Sequence, residues 1–318
     1  MVSTTDIGAM FGAGKAETLL GLPKCADPQG FAGSAVIVGA SSATPYASVG
    51  AYCAGGPAAI RAALAGYAAN LGHVDFDTGE PVFAGDAPSA ADLGDLAFDP
   101  ADHAANRIAI RQTTRDILAA GAMPILIGGD DSVPIPMIEA FHDKGPVTVV
   151  QIDAHIDWRE EVGGERWGLS STMRRASEMP HVTRIVQIGQ RAIGSARPGD
   201  LADAHAWGVH LFSARAIASG GIEAALAAIP AGGDVIVTFD CDGLDPAIMP
   251  GVIGRAPGGL SYWQAVELLA GIAARARIRA FDLVEFMPER DIDGLGALTA
   301  ARLVTHMLAI AHRQWVKG

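Results

Sequence analysis

Cysteine is scarce in this sequence. Cys25, Cys53 and Cys241 are widely spaced and form no CxxC pair, so they are too few and too dispersed for a disulfide scaffold. Such cysteine usage is typical of a reducing compartment. The sequence also shows no basic head followed by an apolar leader, and no stretch approaches the ~20 apolar residues that a membrane span requires. We therefore expect a cytoplasmic protein that does not cross a membrane.

Positive charge is also in short supply. The chain carries 23 Lys and Arg against 35 Asp and Glu, and its formal net charge of -12 argues against nucleic-acid binding. Charged residues of both signs make up only 18% of the sequence, whereas 50% is hydrophobic. This balance provides a large core and is unlike that of a disordered chain. The length fits one α/β domain with a large sheet, so we predict a single domain over residues 1–318.

Short apolar runs alternate with Ala-rich amphipathic stretches through the sequence. The runs are typical of strands buried on both faces, and the stretches have the spacing of helices. Strands that alternate with helices pair in parallel through right-handed crossovers, which predicts a three-layer α/β/α sandwich with a mainly parallel sheet. The predicted strands are 34–40, 124–130, 147–155, 184–191, 234–242 and 278–286, and the predicted helices are 57–71, 105–122, 132–144, 222–229, 261–276 and 297–315.

Two further features of the sequence bear on the fold and the function. The segment 76–100 is rich in Asp, Gly and Pro and weak in both periodicities, so we interpret it as a surface excursion. The first predicted strand is not followed by GxGxxG, which argues against a dinucleotide-dependent dehydrogenase.

Carboxylates gather where four of the predicted strands end. A single acid there is usually a helix cap or a turn residue, but the carboxyl ends of parallel strands share one edge of the sheet. Crowded carboxylates repel each other unless cations neutralise them, and oxygen ligands with one imidazole suit a hard or borderline divalent metal. The residues concerned are Asp130, Asp131, Asp153, His155, Asp157, Asp240, Asp242, Asp245, Asp282 and Glu285.

The spacing of these residues indicates two metal ions. In an extended segment Asp153, His155 and Asp157 project to the same side, and Asp240 and Asp242 do likewise. Two such sets on adjacent strands could hold two ions bridged by a carboxylate from each set. A pair of divalent ions activates water, so the expected chemistry is hydrolysis.

Three motifs resemble those of the ureohydrolase family, which contains arginases, agmatinases and related hydrolases of guanidino compounds. GGDDS at 128–132 is similar to the family's GGDHS, DAHID at 153–157 matches DAHxD, and FDCDGLDPAIMPG at 239–251 is similar to SxDxDxxDPxxxPG. PGGL at 257–260 and DLVEFMPERD at 282–291 match further family blocks in the same order. The resemblance covers most of the chain and implies an arginase-like fold.

The resemblance also implies a set of metal ligands. It assigns two divalent ions, manganese or alternatively nickel, to Asp131, Asp153, His155, Asp157, Asp240 and Asp242. Asp153 and Asp240 would bridge the ions, Asp157 would complete one of them, and His155 and Asp242 would complete the other.

The implied reaction releases urea and an amine from a guanidino or amidino compound. A hydroxide bridging the ions would attack the guanidinium carbon, with Asp157 orienting it. Glu285 would pair with the substrate guanidinium, and Asp130 and Asp245 would support the ligands from outside. Family members form trimers or hexamers, and the apolar helix at 297–315 offers a face for self-association.

Two substitutions depart from the family pattern at the chemistry. Asp131 replaces the ligand histidine of GGDHS, so five carboxylates instead of four would face the two cations. Either the first ion is held by oxygen ligands alone, or that site is weak or empty. Ser170 stands where agmatinase-like members have a histidine proposed to shuttle protons, and serine cannot readily take that role.

The predicted substrate wall departs from the pattern as well. VIGRAPGG replaces TGTPxxGG and places Arg255 in an active-site loop, where it would repel an amine but receive a carboxylate. The alternative is a solvated loop arginine. Trp158, directly after DAHID, could cover an apolar or alkylated guanidine.

Two functions therefore stay open. The chain is either an active dinuclear-metal amidinohydrolase or a catalytically weakened paralogue. The latter would serve as a structural or regulatory subunit beside an intact ureohydrolase, as suggested for relatives that act on drug-like guanidines such as metformin. The survival of five of the six metal positions favours the enzyme, and the joint change at Asp131 and Ser170 favours the subunit.

Overall fold

The computed structural model describes residues 16–85 and 87–318. Eight strands form one sheet in the order β2-β1-β3-β8-β7-β4-β5-β6, and every adjacent pair is parallel. The predicted parallel α/β fold is confirmed. The strands are β1 (Ala35–Ala40), β2 (Ala90–Asp95), β3 (Met123–Gly128), β4 (Val147–Ile152), β5 (Val182–Ile188), β6 (His210–Phe212), β7 (Asp234–Asp240) and β8 (Arg277–Val284).

Helices cover both faces of the sheet. Alternate residues of β1 point to opposite faces, so that Ile37 packs into one core and Val38 into the other. Helices α1, α8 and α9 contribute to the first core, and α2 to α5 contribute to the second. The α-helices of the described residues are α1 (Gly56–Ala63), α2 (His103–Ala119), α3 (Pro134–Glu139), α4 (Thr172–Ser177), α5 (Pro198–Trp207), α6 (Ala214–Gly220), α7 (Glu223–Ala227), α8 (Tyr262–Arg275) and α9 (Leu295–Lys317).

The interpretation of 76–100 as a surface excursion needs correction at residues 90–95. Ala90–Asp95 forms β2, an edge strand that pairs with β1. Its sequence, AADLGD, combines weak strand formers with a buried acid, Asp92, so its pattern resembles a loop. The strand is possible because Arg61 of α1 donates to both oxygens of Asp92, at 2.8 and 2.9 Å, and neutralises the buried charge.

The sequence patterns also failed to predict several other helices and strands. Strand β6 has three residues, and α4 and α6 have six and seven, which is too short for either periodicity to emerge. Helix α5 is largely exposed and buries only Ala204, so it presents almost no apolar face.

Helix α9 packs inside the fold. It is the one helix of the described residues that is long and apolar enough to span a membrane by length and composition, but 78% of its apolar window is buried within the chain. Residues such as Leu303 and Met307 belong to the core beside β8. Its apolar face is therefore already covered, and the self-association expected from this helix loses that support.

Candidate active site

The acidic motifs converge at one edge of the sheet. Strands β3, β8, β7 and β4 are consecutive neighbours, and each motif begins where its strand ends. A cavity of about 220 Å³ opens at this edge. Seven of the residues expected to bind metal or substrate line it: Asp131, His155, Asp157, Trp158, Asp240, Asp242 and Glu285. Asp153 is fully buried and contacts His155, with an Oδ1 to Nδ1 distance of 3.3 Å.

Two of the cavity residues have unusual backbone angles. Asp157 has φ of 43° and Glu285 has φ of 65°, values that residues with a side chain rarely adopt. The Glu285 conformation is held by a hydrogen bond from its N–H to the Gly129 carbonyl, at 2.7 Å. Such strain costs of order 1–3 kcal/mol and is found mainly at functional sites. Its presence at both residues is an independent indication of function.

The ligand atoms form two overlapping groups. Within each group, all potential ligand atoms lie within 4.8 Å of one another: Asp153, His155 and Asp242 form the first, and Asp131, Asp153 and Asp240 form the second. Asp153 belongs to both groups, as a bridging ligand must. Metal ligation by all of these residues stays a prediction, and Asp240 belongs to one group only and Asp157 to neither.

Asp131 is suited to the role of a metal ligand, although it replaces a histidine. Its side chain reaches the other carboxylates of the second group despite being shorter. Both of its oxygens are buried and lack a hydrogen-bond partner among the described residues, a costly arrangement unless a cation completes it. The donor set of the second group is therefore made of oxygens alone, which suits hard divalent ions.

Burial and mutual repulsion control the protonation of this cluster. Burial, followed by the charges of neighbouring carboxylates, raises the pKa values of Asp131, Asp153 and Asp240 well above their ordinary range. A bound cation would oppose this effect and favour the ionised form.

His155 and Asp242 stabilise each other's charged forms. Burial lowers the pKa of His155, but the hydrogen bond from Nδ1 to Asp242 at 3.0 Å and the surrounding negative charge outweigh it and raise the pKa to about 9. Burial conversely raises the pKa of Asp242, and the same contact holds it below its ordinary value. This pairing keeps both side chains at the first ligand group.

Glu285 lies beside the ligand groups and is held at both oxygens. It accepts hydrogen bonds from the Tyr52 hydroxyl, at 2.5 Å, and from the Asp131 N–H, at 2.8 Å. Burial, followed by the charge of Asp130, raises its pKa to about 8. A guanidinium ion in the cavity would favour its carboxylate form.

A buried glutamine pair that the sequence patterns did not indicate supports two of the expected metal ligands. The Gln151 amide donates to Asp153 and Asp157, both at 2.6 Å. Gln187, opposite it on β5, donates to the Gln151 oxygen and so fixes which end of that amide faces the acids. The sequence could have indicated this pair, because a glutamine within an apolar strand must have a buried partner.

Replacing Gln151 by methionine should weaken manganese binding by about 10- to 100-fold, because two carboxylates lose the donor that orients them. Manganese titration of the metal-free protein measures the effect. Gln112→Met, on the exposed side of α2, is the matched control and should leave the affinity unchanged. Unchanged manganese affinity in a folded Gln151→Met protein would show that the amide does not position the ligands.

The remaining expected site residues lie outside the ligand groups. Asp130 is buried and accepts from Ser42 and Ser132, which anchors the segment that carries Asp131. Asp245 accepts from the N–H groups of Ala247, Gly258 and Gly259 and ties two cavity loops together.

Of the two further residues expected to contact the substrate, Trp158 lines the cavity and Arg255 does not. Trp158 lines the cavity, but it is only 2% exposed and packs edge-to-face against Trp207, so most of the ring belongs to the core. Arg255 donates to the carbonyls of Pro250 and Arg290, both at 2.6 Å, and in the described part of the chain it is not among the residues that line the cavity. Its neighbours Ile253 and Gly254 line the cavity, and substrate binding by Arg255 stays a prediction.

The sequence matches the arginase family over residues 34–309, and the chain belongs to that family. It is 33% identical over 231 residues to a guanidinobutyrase of Pseudomonas aeruginosa, covering 71% of this chain and 72% of that protein. A formimidoylglutamase of Halobacterium salinarum is 33% identical over 264 residues, covering 80% of each.

The fold is similar to that of solved structures. Proclavaminate amidino hydrolase from Streptomyces clavuligerus superimposes with a TM-score of 0.81 at 26% identity, covering 95% of this chain and 98% of that one. The similarity extends over nearly the whole sheet and its helices, and it confirms the expected arginase-like architecture.

Proposed function

We propose that this chain is a dinuclear-metal amidinohydrolase that cleaves a small guanidino compound into urea and an amine. The overlapping ligand groups, which share the buried Asp153 and adjoin the cavity that Glu285 lines, carry the proposal. The cavity, at about 220 Å³, is smaller than the roughly 300–1,000 Å³ of sites for drug-sized ligands. A small substrate fits it best.

Each part of the site has a task in this reaction. Asp153, His155 and Asp242 would hold one ion, and Asp131 and Asp240 would hold the second together with Asp153. When bound, the ions supply a water that is deprotonated near neutral pH.

Two carboxylates of the cavity would bind the substrate and transfer the proton. Glu285 would receive the guanidinium and turn its carbon toward the ligand groups. Asp157 would accept a proton from the attacking water and return it to the departing amine nitrogen. Manganese is the proposed metal and nickel the alternative, since both accept a mixed oxygen and imidazole ligand set.

Urea release by the purified, manganese-loaded chain tests the proposal. The panel comprises guanidino acids, guanidino amines and alkylguanidines of similar length. Turnover of any of them by the chain alone excludes the weakened-paralogue alternative. The absence of turnover across the panel, in a protein that retains its metal, would contradict the enzyme proposal.

Substitution of Asp131 by histidine should change urea release by no more than about tenfold, which corresponds to ~1.4 kcal/mol of barrier. The variant restores the family's ligand type, and its affinity for manganese or nickel should rise because imidazole suits these ions better than it suits magnesium. Kinetic and metal-binding assays of Asp131→His and of Asp131→His/Ser170→His, which adds the missing histidine to the cavity wall, measure both effects. Activity in the double variant alone would instead identify the native chain as a silenced subunit.

Assembly with further copies, or with an intact paralogue, and a cytoplasmic location stay predictions. Exposed apolar side chains on the described surface include Phe76, which is 90% exposed, and Ile193, which is fully exposed. These positions, rather than the buried face of α9, are the ones to examine for subunit contacts.

A further inference from the structure

The cavity is lined by an arginine as well as by acids. Arg159 and Asp200 line it, and the Arg159 Nε lies 3.6 Å from an Asp200 oxygen. Arg197 also binds Asp200, through both of its oxygens, at 2.7 and 3.0 Å. Two arginines therefore share one carboxylate, which leaves this group of three side chains with one positive charge in excess.

Arg159 is the arginine that remains available. Because Arg197 already engages both oxygens of Asp200 in a fork, Arg159 is left with an ion-pair contact. No hydrogen bond joins its guanidinium to another of the residues that the structure describes, although its side chain is only 31% exposed. A half-buried guanidinium has five donors to satisfy, and a planar anion such as a carboxylate matches their geometry.

Three aliphatic side chains contribute to the cavity wall. Leu169 and Ile253 line the cavity, together with Ile156. Aliphatic side chains favour the methylene groups of a linker and offer a second charge nothing to pair with. The cavity lining thus combines buried acids, aliphatic side chains, two serines (Ser170 and Ser195) and one arginine.

We propose that the substrate is a small ω-guanidino carboxylate, with Glu285 receiving the guanidinium and Arg159 receiving the carboxylate. The inference rests on the proposed function and extends it to the far end of the substrate. An amine at that end would face Arg159 and be repelled, so the same residue both recruits guanidino acids and rejects guanidino amines. Arg159 thereby takes the role that the sequence pattern assigned to Arg255.

The test compares 4-guanidinobutanoate with agmatine, which has a similar length but ends in an amine. The native, manganese-loaded chain should show the higher kcat/KM with the acid. In Arg159→Gln, the KM for the acid should rise by ~10- to 100-fold, as expected for a lost charged hydrogen bond, while kcat stays within about twofold. Arg159 would bind the distant carboxylate equally in the ground state and in the transition state. Loss of this contact therefore affects KM. The KM for agmatine should not rise.

Arg166→Gln is the matched control. Arg166 follows Arg159 by seven positions and pairs with Glu160 and Glu178, and it is not part of the described cavity lining. Its removal should leave the ratio of the two substrates unchanged. An unchanged KM for 4-guanidinobutanoate in Arg159→Gln, or a native preference for agmatine, would overturn the proposal. So would a rise in that KM in Arg255→Gln alone.

Calorimetric binding separates this inference from the proposed function. If the chain releases no urea but binds 4-guanidinobutanoate with an affinity that Arg159→Gln reduces, the hydrolase proposal fails and the Arg159 assignment stands. If urea is released from both compounds and Arg159→Gln affects neither KM, the hydrolase proposal stands and the Arg159 assignment fails.

Discussion

Substitution of Asp240 by alanine is expected to weaken manganese binding by at least about 100-fold and to abolish most urea release. Removing a ligand should cost more than the 10- to 100-fold that loss of a supporting group costs, and Asp240 is within ligand distance of Asp131 and Asp153. The two remaining acids of its group would still repel each other in a buried site. Metal content after dialysis, together with urea release, measures the effect.

The heat stability of the metal-free Asp240→Ala protein distinguishes loss of metal binding from unfolding. The metal-free Asp240→Ala protein should be at least as stable to heat as the metal-free native chain, because one of several mutually repelling buried carboxylates is gone. Asp234→Ala is the matched control: it removes an acid from the other end of β7, where Arg279 pairs with it at 2.6 Å. The control should retain metal and activity. Full metal content in Asp240→Ala would show that the second ligand group is not a metal site.

Substitution of Glu285 by glutamine should leave the bound metal in place and lower urea release by about 100-fold or more. Breaking a buried charge pair costs roughly 2–5 kcal/mol, and the guanidinium would lose its only assigned anionic partner. Glutamine keeps an oxygen that can accept from the Asp131 N–H, so the floor should stay intact. Steady-state kinetics and metal analysis of the same preparation make the measurement.

The neighbouring hydroxyl provides the control for Glu285. Tyr52→Phe removes the hydrogen bond to the carboxylate without removing its charge, and a neutral donor contributes far less. Its activity should therefore stay within about tenfold of the native chain. If Glu285→Gln and Tyr52→Phe lost activity equally, Glu285 would have a structural role and the guanidinium would be bound elsewhere.

The convergence of the acids was predictable because it depends on topology. Parallel strands place their carboxyl ends at one edge, so the apolar runs that precede Asp153, Asp240 and Glu285 were sufficient to bring these residues together. The same logic fails at the sheet margins. β2 carries Asp92, whose burial depends on Arg61 from a different part of the chain, and no local pattern shows that pairing.

Loop geometry and side-chain direction were beyond the sequence patterns. Arg255 and Arg159 both follow motif segments, and only the folded loops decide that the first binds carbonyls while the second faces the cavity. Asp131 raised a similar question. Its motif left open whether a shorter side chain reaches the other acids, and the fold brings it within ligand distance of Asp153 and Asp240, with neither of its oxygens hydrogen-bonded to a described residue.

The number of manganese ions bound per chain tests most directly whether this protein carries its own dinuclear centre. The metal-free, purified chain is saturated with manganese, passed through a desalting column and assayed for metal by atomic spectrometry. The two ligand groups that share Asp153 predict a value close to two. A value of one or less, in a protein that remains folded, would contradict a dinuclear site in this chain.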